Sequence, residues 1–271
     1  MVRRIVIDQI EQGMLWQTHE EIPAGAVADL LEAKNQLAVL RHGRPPYQVV
    51  LGVPHQVPTG VWQICEERRD ENGQINARKG DDNVASFGLV IFSRLVAQQI
   101  PCKLVIMSRA STHDPNKVPD SPYCQEVFSE TTELLFECHA SNGRRLLDLE
   151  LSAGSNRLTQ TVHFGQSLAG HLAYRYQLGV QTQPGRKQAL IFRRKNEIIS
   201  GSLQLPATKT ISLRLAEKYG VPALHLEAKP LFRGRSIVPH AVSADGQILG
   251  RAIAKTIVSL RGQIKLDLSA Q

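Results

Sequence analysis

Residues 47–60 read YQVVLGVPHQVPTG. The apolar, valine-rich run from Tyr47 to Val53 has the composition of a core strand, and it delivers His55 straight into a turn-rich segment holding Pro54, Pro58 and Gly60. Taken alone, such a histidine reads as a hydrogen-bonded structural residue. The fold class and the meaning of His55 therefore both depend on whether other strands in the chain end in the same way.

Working outward, the pattern alternates. Upstream, residues 23–43 (PAGAVADLLEAKNQLAVLRHG) place Leu30, Leu31, Leu37, Val39 and Leu40 at helical spacing, which predicts a helix before the first core strand. Downstream, a polar loop over residues 66–80 leads to DDNVASFGLVIFSRLVAQQIP. This segment is a predicted helix with Asp81 or Asp82 as its N-cap and Pro101 just past its end. CKLVIMS is a predicted strand, ASTHDPNKVPDSPY a loop and YCQEVFSET a short helix, and TELLFECHA is the third core strand. RRLLDLELSAG alternates as a strand, with Leu147, Leu149 and Leu151 on one face.

Residues 152–200 are the least readable. GQSLAGHLAYRYQL has helical character, and its flanks read as insertions. ATKTISLRLAEKYG is a helix closed by Gly220, VPALHLEAK a fourth core strand and ADGQILGRAIAKTIVSLR a C-terminal helix. Strands separated by helices predict one α/β domain over residues 1–271, with an insertion at 152–200. Its sheet is mostly parallel within a mixed arrangement and is flanked by helices on both faces.

The whole-chain properties fit that reading. With 271 residues and 42% hydrophobic content, the chain can bury one substantial core. No apolar run approaches the roughly 18 residues of a membrane span. The opening MVRRIVIDQIEQG lacks the apolar core of a signal peptide, so the expectation is a cytoplasmic protein without membrane association. Cys65, Cys102, Cys124 and Cys138 form no CxxC pair, which argues against a disulfide framework or a thiolate zinc site. The net charge of +7 and pI near 9.4 favour anionic partners. The basic residues are scattered in short groups and read as solvated surface, so nucleic acid is not the expected partner. Phosphate-binding glycine loops and the GxSxG nucleophile elbow are both absent. No pattern here specifies an oligomeric state.

In an open parallel sheet, ligands bind beyond the carboxyl ends of the strands. The first core strand ends in His55, the second in Ser108-Arg109 and the third in Glu137-Cys138-His139, while the fourth carries His225 and Glu227. His55 and His139, with the Asp81-Asp82 doublet at a helix start, make the two-histidine, one-carboxylate set of many catalytic zinc sites. Glu227 is the candidate general base, because a carboxylate at the end of a core strand is costly unless it is functional or paired. The competing reading pairs it with Lys229 or Arg233. The loop SRASTHDPNK offers Arg109, His113, Asp114, Asn116 and Lys117, and Arg109 is suited to a bidentate grip on a substrate carboxylate. Asx-Pro turn chemistry explains Asp114, Pro115 and Asn116 equally well.

In this order, VPHQVPTG, GDDNVASFG, SRASTHDPNK with Tyr123 after it, LLFECHAS and ALHLEAKP resemble the landmarks of N-formylglutamate amidohydrolase-like proteins. These belong to the wider group of zinc hydrolases that includes aminoacylases and zinc carboxypeptidases. The landmarks span residues 50 to 230, about two thirds of the chain. The resemblance implies a phosphorylase/hydrolase-like fold, one zinc ion and hydrolysis of an amide bond next to a carboxylated amino acid. It implies His55, Asp82 and His139 as the metal ligands and Glu227 as the base. Asp114, Asn116 and Lys117, together with Arg109, are implied to bind a small carboxylated substrate. Gln56 stands where relatives have glycine, the acidic ligand is a shorter Asp, and ASN follows His139 in place of a glycine-rich segment. Those departures motivate the alternative of a catalytically inactive metal- or ligand-binding protein on the same fold.

Overall fold

The computed structural model describes residues 3–7, 36–57, 62–63, 72, 78–79, 81–108, 114–140, 149–152, 164, 167–168, 170–171, 176–183, 186–194, 210–229, 232–233 and 242–269. Its elements in chain order begin with β1 (Arg3–Ile7), β2 (Gln36–His42), β3 (Val49–Val57), β4 (Trp62–Gln63), β5 (Arg78–Lys79) and β6 (Asp81–Asp82). They continue with α1 (Val84–Val96), β7 (Cys102–Ser108), α2 (Pro122–Val127), β8 (Leu135–Ala140), β9 (Leu149–Ser152), β10 (Tyr176–Gln183) and β11 (Arg186–Arg194). The last are α3 (Ile211–Tyr219), β12 (Ala223–Ala228) and α4 (Ala244–Ser269). Ten strands form one mixed α/β sheet in the order β1-β2-β7-β3-β8-β12-β9-β11-β10, with β6 paired to β3.

The central strands β7, β3, β8 and β12 are mutually parallel. β2 joins antiparallel on one side, and β9, β11 and β10 extend the sheet antiparallel on the other. Side-chain alternation divides these strands between two cores. Val49, Leu51 and Val53 of β3, with Leu104 and Ile106 of β7, Phe136 and Cys138 of β8 and Leu224 and Leu226 of β12, face α1 and α4. Val50, Val105, Leu135 and Ala223 face α2 and α3 through Tyr123, Val127 and Ala216. Helix α1 is buried on almost every side because it lies between the sheet and α4. Gly250 allows that approach, since a Cβ there would sit 2.6 Å from Val90 Cγ1. Among the described residues, no helix is long and apolar enough to cross a membrane.

Two elements differ from the sequence expectation. Part of the predicted helix over residues 23–43 is strand β2, and residues 23–35 lie outside the described ones. In β2, Leu37 and Val39 face one core while Ala38 and Leu40 face the other. A short run that is apolar at consecutive positions fits both periods, and pairing with β1 and β7 on either side decides for strand. Likewise, helix is found in the 165–178 segment only among its described residues up to His171, and Tyr176 already begins β10.

Strand β3 is interrupted where the chemistry begins. Its register against β7 shifts between Val53 and Gln56, so three steps on β3 match two on β7. Proline has no N–H for the ladder and is tolerated inside a sheet only at such a bulge, which is where Pro54 sits. Strict alternation would send His55 to the α1 face with Val53. The extra residue returns it to the α2 and α3 face and sends Gln56 towards α1.

Candidate metal centre

β3 continues through α1 to β7 on one side, while the chain leaving β8 comes to β12 on the other. The carboxyl ends of β3 and β8 therefore flank a topological switch point. Four strands deliver ionisable side chains there, all on the face covered by α2 and α3: His55 from β3, Asp81 from β6, Glu137 and His139 from β8, and His225 and Glu227 from β12.

Asp81 is the hub. Its Oδ2 lies 3.1 Å from His139 Nδ1 and 3.5 Å from His55 Nδ1, and the two imidazoles meet edge to face at 5.1 Å. The opposite nitrogen of His55, Nε2, is 2.6 Å from Asp114 Oδ1, which also accepts from the Asn116 backbone N–H at 3.0 Å. His139 Nε2 lies 3.4 Å from the Asn116 side-chain amide. Both histidines thus direct Nδ1 at one carboxylate while Nε2 is held by the turn at residues 114–116.

Behind His139, the ring of His225 stacks at 4.0 Å between centroids, and His225 Nε2 is 3.2 Å from Glu227 Oε1. His225 Nδ1 points at Glu137 Oε2 from 3.9 Å, beyond hydrogen-bond range. Glu137 is fully buried and accepts hydroxyl protons from Tyr123 at 2.7 Å and Ser212 at 2.5 Å, one on each oxygen. The Tyr123 hydroxyl fits only because residue 52 is glycine, since a Cβ there would overlap it.

Charge follows from these contacts. Burial alone would lower the pKa of His55, but Asp114 and Asp81 outweigh it and push the imidazolium up to about 9. His225 behaves alike: Glu137 and Glu227 overcome burial and raise it to about 9. His139 goes the other way, lowered by burial and by the charge of His225 despite Asp81. Burial would raise Asp81, Glu137 and Glu227, yet the histidines beside them hold all three below the usual carboxylate range.

Two donor groups have the spacing for a cation: His55, Asp81 and His139, and Glu137, His139 and His225. In each group the ligand atoms lie within 4.8 Å of one another. The first fits a metal better. Both of its imidazoles have the remote nitrogen held and the near one turned inward, as metal-bound histidines do. In the second, both Glu137 oxygens are already engaged by hydroxyls. Imidazole, imidazole and carboxylate is a donor set suited to zinc.

The sequence-predicted residues fall as follows. His55 and His139 come together. The carboxylate between them is Asp81; the side chain of Asp82 lies outside the described ones, as do Arg109 and His113. Nothing in the doublet itself says which carboxylate faces the histidines. The register that pairs Asp81 with Gln56 of β3 decides it. Nor is the N-cap of α1 either aspartate. It is Asn83, in the left-handed region at φ 54°, and the capping acceptor comes from β3, where Gln56 Oε1 takes the Ala85 N–H at 2.8 Å. Gln56, the apparent departure from relatives, is thus a buried helix cap, a contact of the kind that contributes about 1 kcal/mol. Asp114 and Asn116, expected to bind substrate, are each 1% exposed and spend their side chains on the histidines. Lys117 reaches the surface, its Nζ 3.9 Å from Asp114 Oδ2. Ser212 carries no signal in the sequence, because only the topology brings it to Asn116.

No family model and no curated protein sequence matches this chain. Among solved structures it is similar to a Burkholderia mallei protein named as a candidate carboxypeptidase, at 14% identity and TM-score 0.48 over 91% of this chain and 68% of that one. It is similar to a metallo-carboxypeptidase from Burkholderia cenocepacia at 12% identity and TM-score 0.45, covering 91% and 70%. A succinylglutamate desuccinylase from Chromobacterium violaceum follows at 10% identity and TM-score 0.36, covering 79% and 60%. Likenesses of this degree carry no argument about activity, so the case for a function rests on the side chains.

Proposed function

We propose that the chain is a zinc-dependent hydrolase that cleaves an amide bond in an N-acylated or peptide-like substrate bearing a carboxylate. One observation carries the reading: two buried imidazoles and Asp81 converge through Nδ1, Nδ1 and Oδ2, while the outer nitrogen of each ring is held by the 114–116 turn. His55, Asp81 and His139 would hold the ion. Zinc in such a site supplies a Lewis acid and brings the pKa of a bound water towards about 7.

The protein's own part of the reaction falls to Glu227. It is the most exposed carboxylate of the cluster, with 17% of its side chain accessible against 10% for Asp81, 1% for Asp114 and none for Glu137. Held ionised by His225, it is ready to accept a proton from an attacking water and return it to the leaving nitrogen. The substrate carboxylate is assigned to cations at the same sheet edge: the exposed Lys117, and Arg109, which follows β7 directly in the sequence.

Metal analysis of the purified protein tests this. The expected result is one zinc per chain, lost in Asp81→Ala and in a His55→Ala, His139→Ala double variant but kept in Asp82→Ala. Turnover is then sought on a panel of N-formyl, N-acetyl and γ-glutamyl amino acids. A wild type without zinc, or an Asp81→Ala variant that retains it, would sink the site.

A further inference from the structure

We infer that Ser212, on α3, determines which nitrogen His139 presents to the metal centre, by locking the rotation of the Asn116 amide. The argument is a count of protons. Ser212 Oγ lies 2.5 Å from Glu137 Oε2 and 2.7 Å from Asn116 Oδ1, yet a hydroxyl has one hydrogen to give. The Glu137 contacts, at 2.5 Å from Ser212 and 2.7 Å from Tyr123, have the short lengths of hydroxyls donating to a carboxylate. The Ser212 proton therefore goes to Glu137, and its oxygen must accept from Asn116.

A side-chain amide has nearly the same shape with its oxygen and nitrogen exchanged, and the network decides which faces where. With Asn116 Nδ2 donating to Ser212, Asn116 Oδ1 faces His139 Nε2 and accepts a proton from it. His139 is then the Nε2–H tautomer, and the Nδ1 lone pair is directed at Asp81. The other amide orientation leaves two oxygens facing each other at Ser212 without a proton between them. It also leaves His139 protonated on Nδ1, the nitrogen the metal would need.

The 114–116 turn thus works as a two-pronged bracket. Asp114 takes the Nε2–H of His55 with a carboxylate, and Asn116 takes that of His139 with a neutral amide. Only the neutral prong can be placed the wrong way round, and Ser212 is the residue that prevents it. Its place is fixed independently, since the Ile211 backbone N–H donates to the Asn116 backbone oxygen at 2.7 Å and ties the start of α3 to the turn. Ser212 and Asn116 are positioning residues, acting on the ion through His139.

The inference rests on the metal reading of the site, but its main test does not require metal. Ring-nitrogen NMR on histidine-labelled, chelator-treated protein reads the tautomer directly, with His139→Gln providing the assignment. The expected result is a protonated Nε2 and a bare Nδ1. Ser212→Ala should populate both tautomers and weaken zinc binding roughly 10- to 100-fold, the usual effect of losing a partner behind a metal-bound histidine. Adding Asn116→Asp to Ser212→Ala should restore the Nε2–H form, because a carboxylate accepts whichever way it turns. A wild-type His139 protonated on Nδ1 overturns the inference even if zinc binds. So does a Ser212→Ala protein with unchanged tautomer and affinity. If zinc fails to bind while the tautomer is as stated, the metal reading falls and this one stands.

Discussion

Replacing Asp114 with asparagine removes a charge from behind His55 while keeping the size of the side chain, and the consequence can be worked from the raised pKa of that histidine. In the unfolded chain His55 titrates near 6.5, and in the metal-free fold near 9. The imidazolium is therefore favoured by the fold by on the order of 3 kcal/mol. A raised pKa contributes stability that is fully present below 6.5 and is lost as the pH climbs through about 9. Asp114, at 2.6 Å, is the principal source and Asp81 the second. Removing the Asp114 charge leaves burial opposed by Asp81 alone. Chelator-treated Asp114→Asn protein should thus be less stable than wild type by about 1.5–3 kcal/mol at pH 6, the range for a hydrogen bond to a charged group. The gap should narrow by pH 9.5, where His55 is neutral in both. Urea unfolding of the two proteins at the two pH values measures this. The comparison must be between proteins, since His225, also raised to about 9, bends the wild-type curve in the same direction. A gap that stays constant across the two pH values, or no gap at pH 6, refutes the assignment of the His55 charge to Asp114.

Two further outcomes follow from the geometry. Glu227→Gln should keep its zinc while turnover falls by about 10²- to 10⁴-fold, the usual range for a lost general base; metal analysis and initial rates on the same sample separate the two effects. Gly52→Ala should destabilise the protein by about 1–3 kcal/mol in denaturant unfolding, because the new methyl displaces the Tyr123 hydroxyl from Glu137.

Much of this site could be read from the chain because strands announce their own ends. CKLVIMS, TELLFECHA and VPALHLEAK are apolar runs bounded by turn residues, and they appear as β7, β8 and β12. His139 and Glu227 could be placed at a sheet edge for that reason. Asp81 could not be told from Asp82, because the choice depends on a register across 25 residues to Gln56, and register is a tertiary property. Ser212 was unreadable for the same cause: it reaches Asn116 across 96 residues, through the order of strands rather than any local pattern. The β2 error was of another kind. QLAVLRH satisfies helical and strand periods together, and the sequence contains nothing that says β1 and β7 will pair on both sides of it. Pro54 was the signal that could have been used and was not. A proline inside a central strand requires a bulge, and a bulge reverses which face the next residue takes.

That reversal ties the chemistry to the architecture. β8 and β12 each carry apolar residues on one face and ionisable ones on the other, with Phe136, Cys138, Leu224 and Leu226 packed against α1 and α4. On the opposite face Glu137, His139, His225 and Glu227 lie under α2 and α3. A buried face of this kind is tolerable only if its charges are matched, and the match is incomplete. Asp81, Glu137 and Glu227 are held ionised, and Asp114 acts on His55 as an anion, whereas the cationic imidazoles are His55 and His225. Carboxylates outnumber imidazoliums around a neutral His139, which is the balance expected of a site that takes up a cation. His55 is both one of its ligands and the group that carries a proton in the ion's place. The bulge at Pro54 brings it onto that face, so the β3 irregularity is what completes the donor set, and without it His55 would be one more residue facing α1.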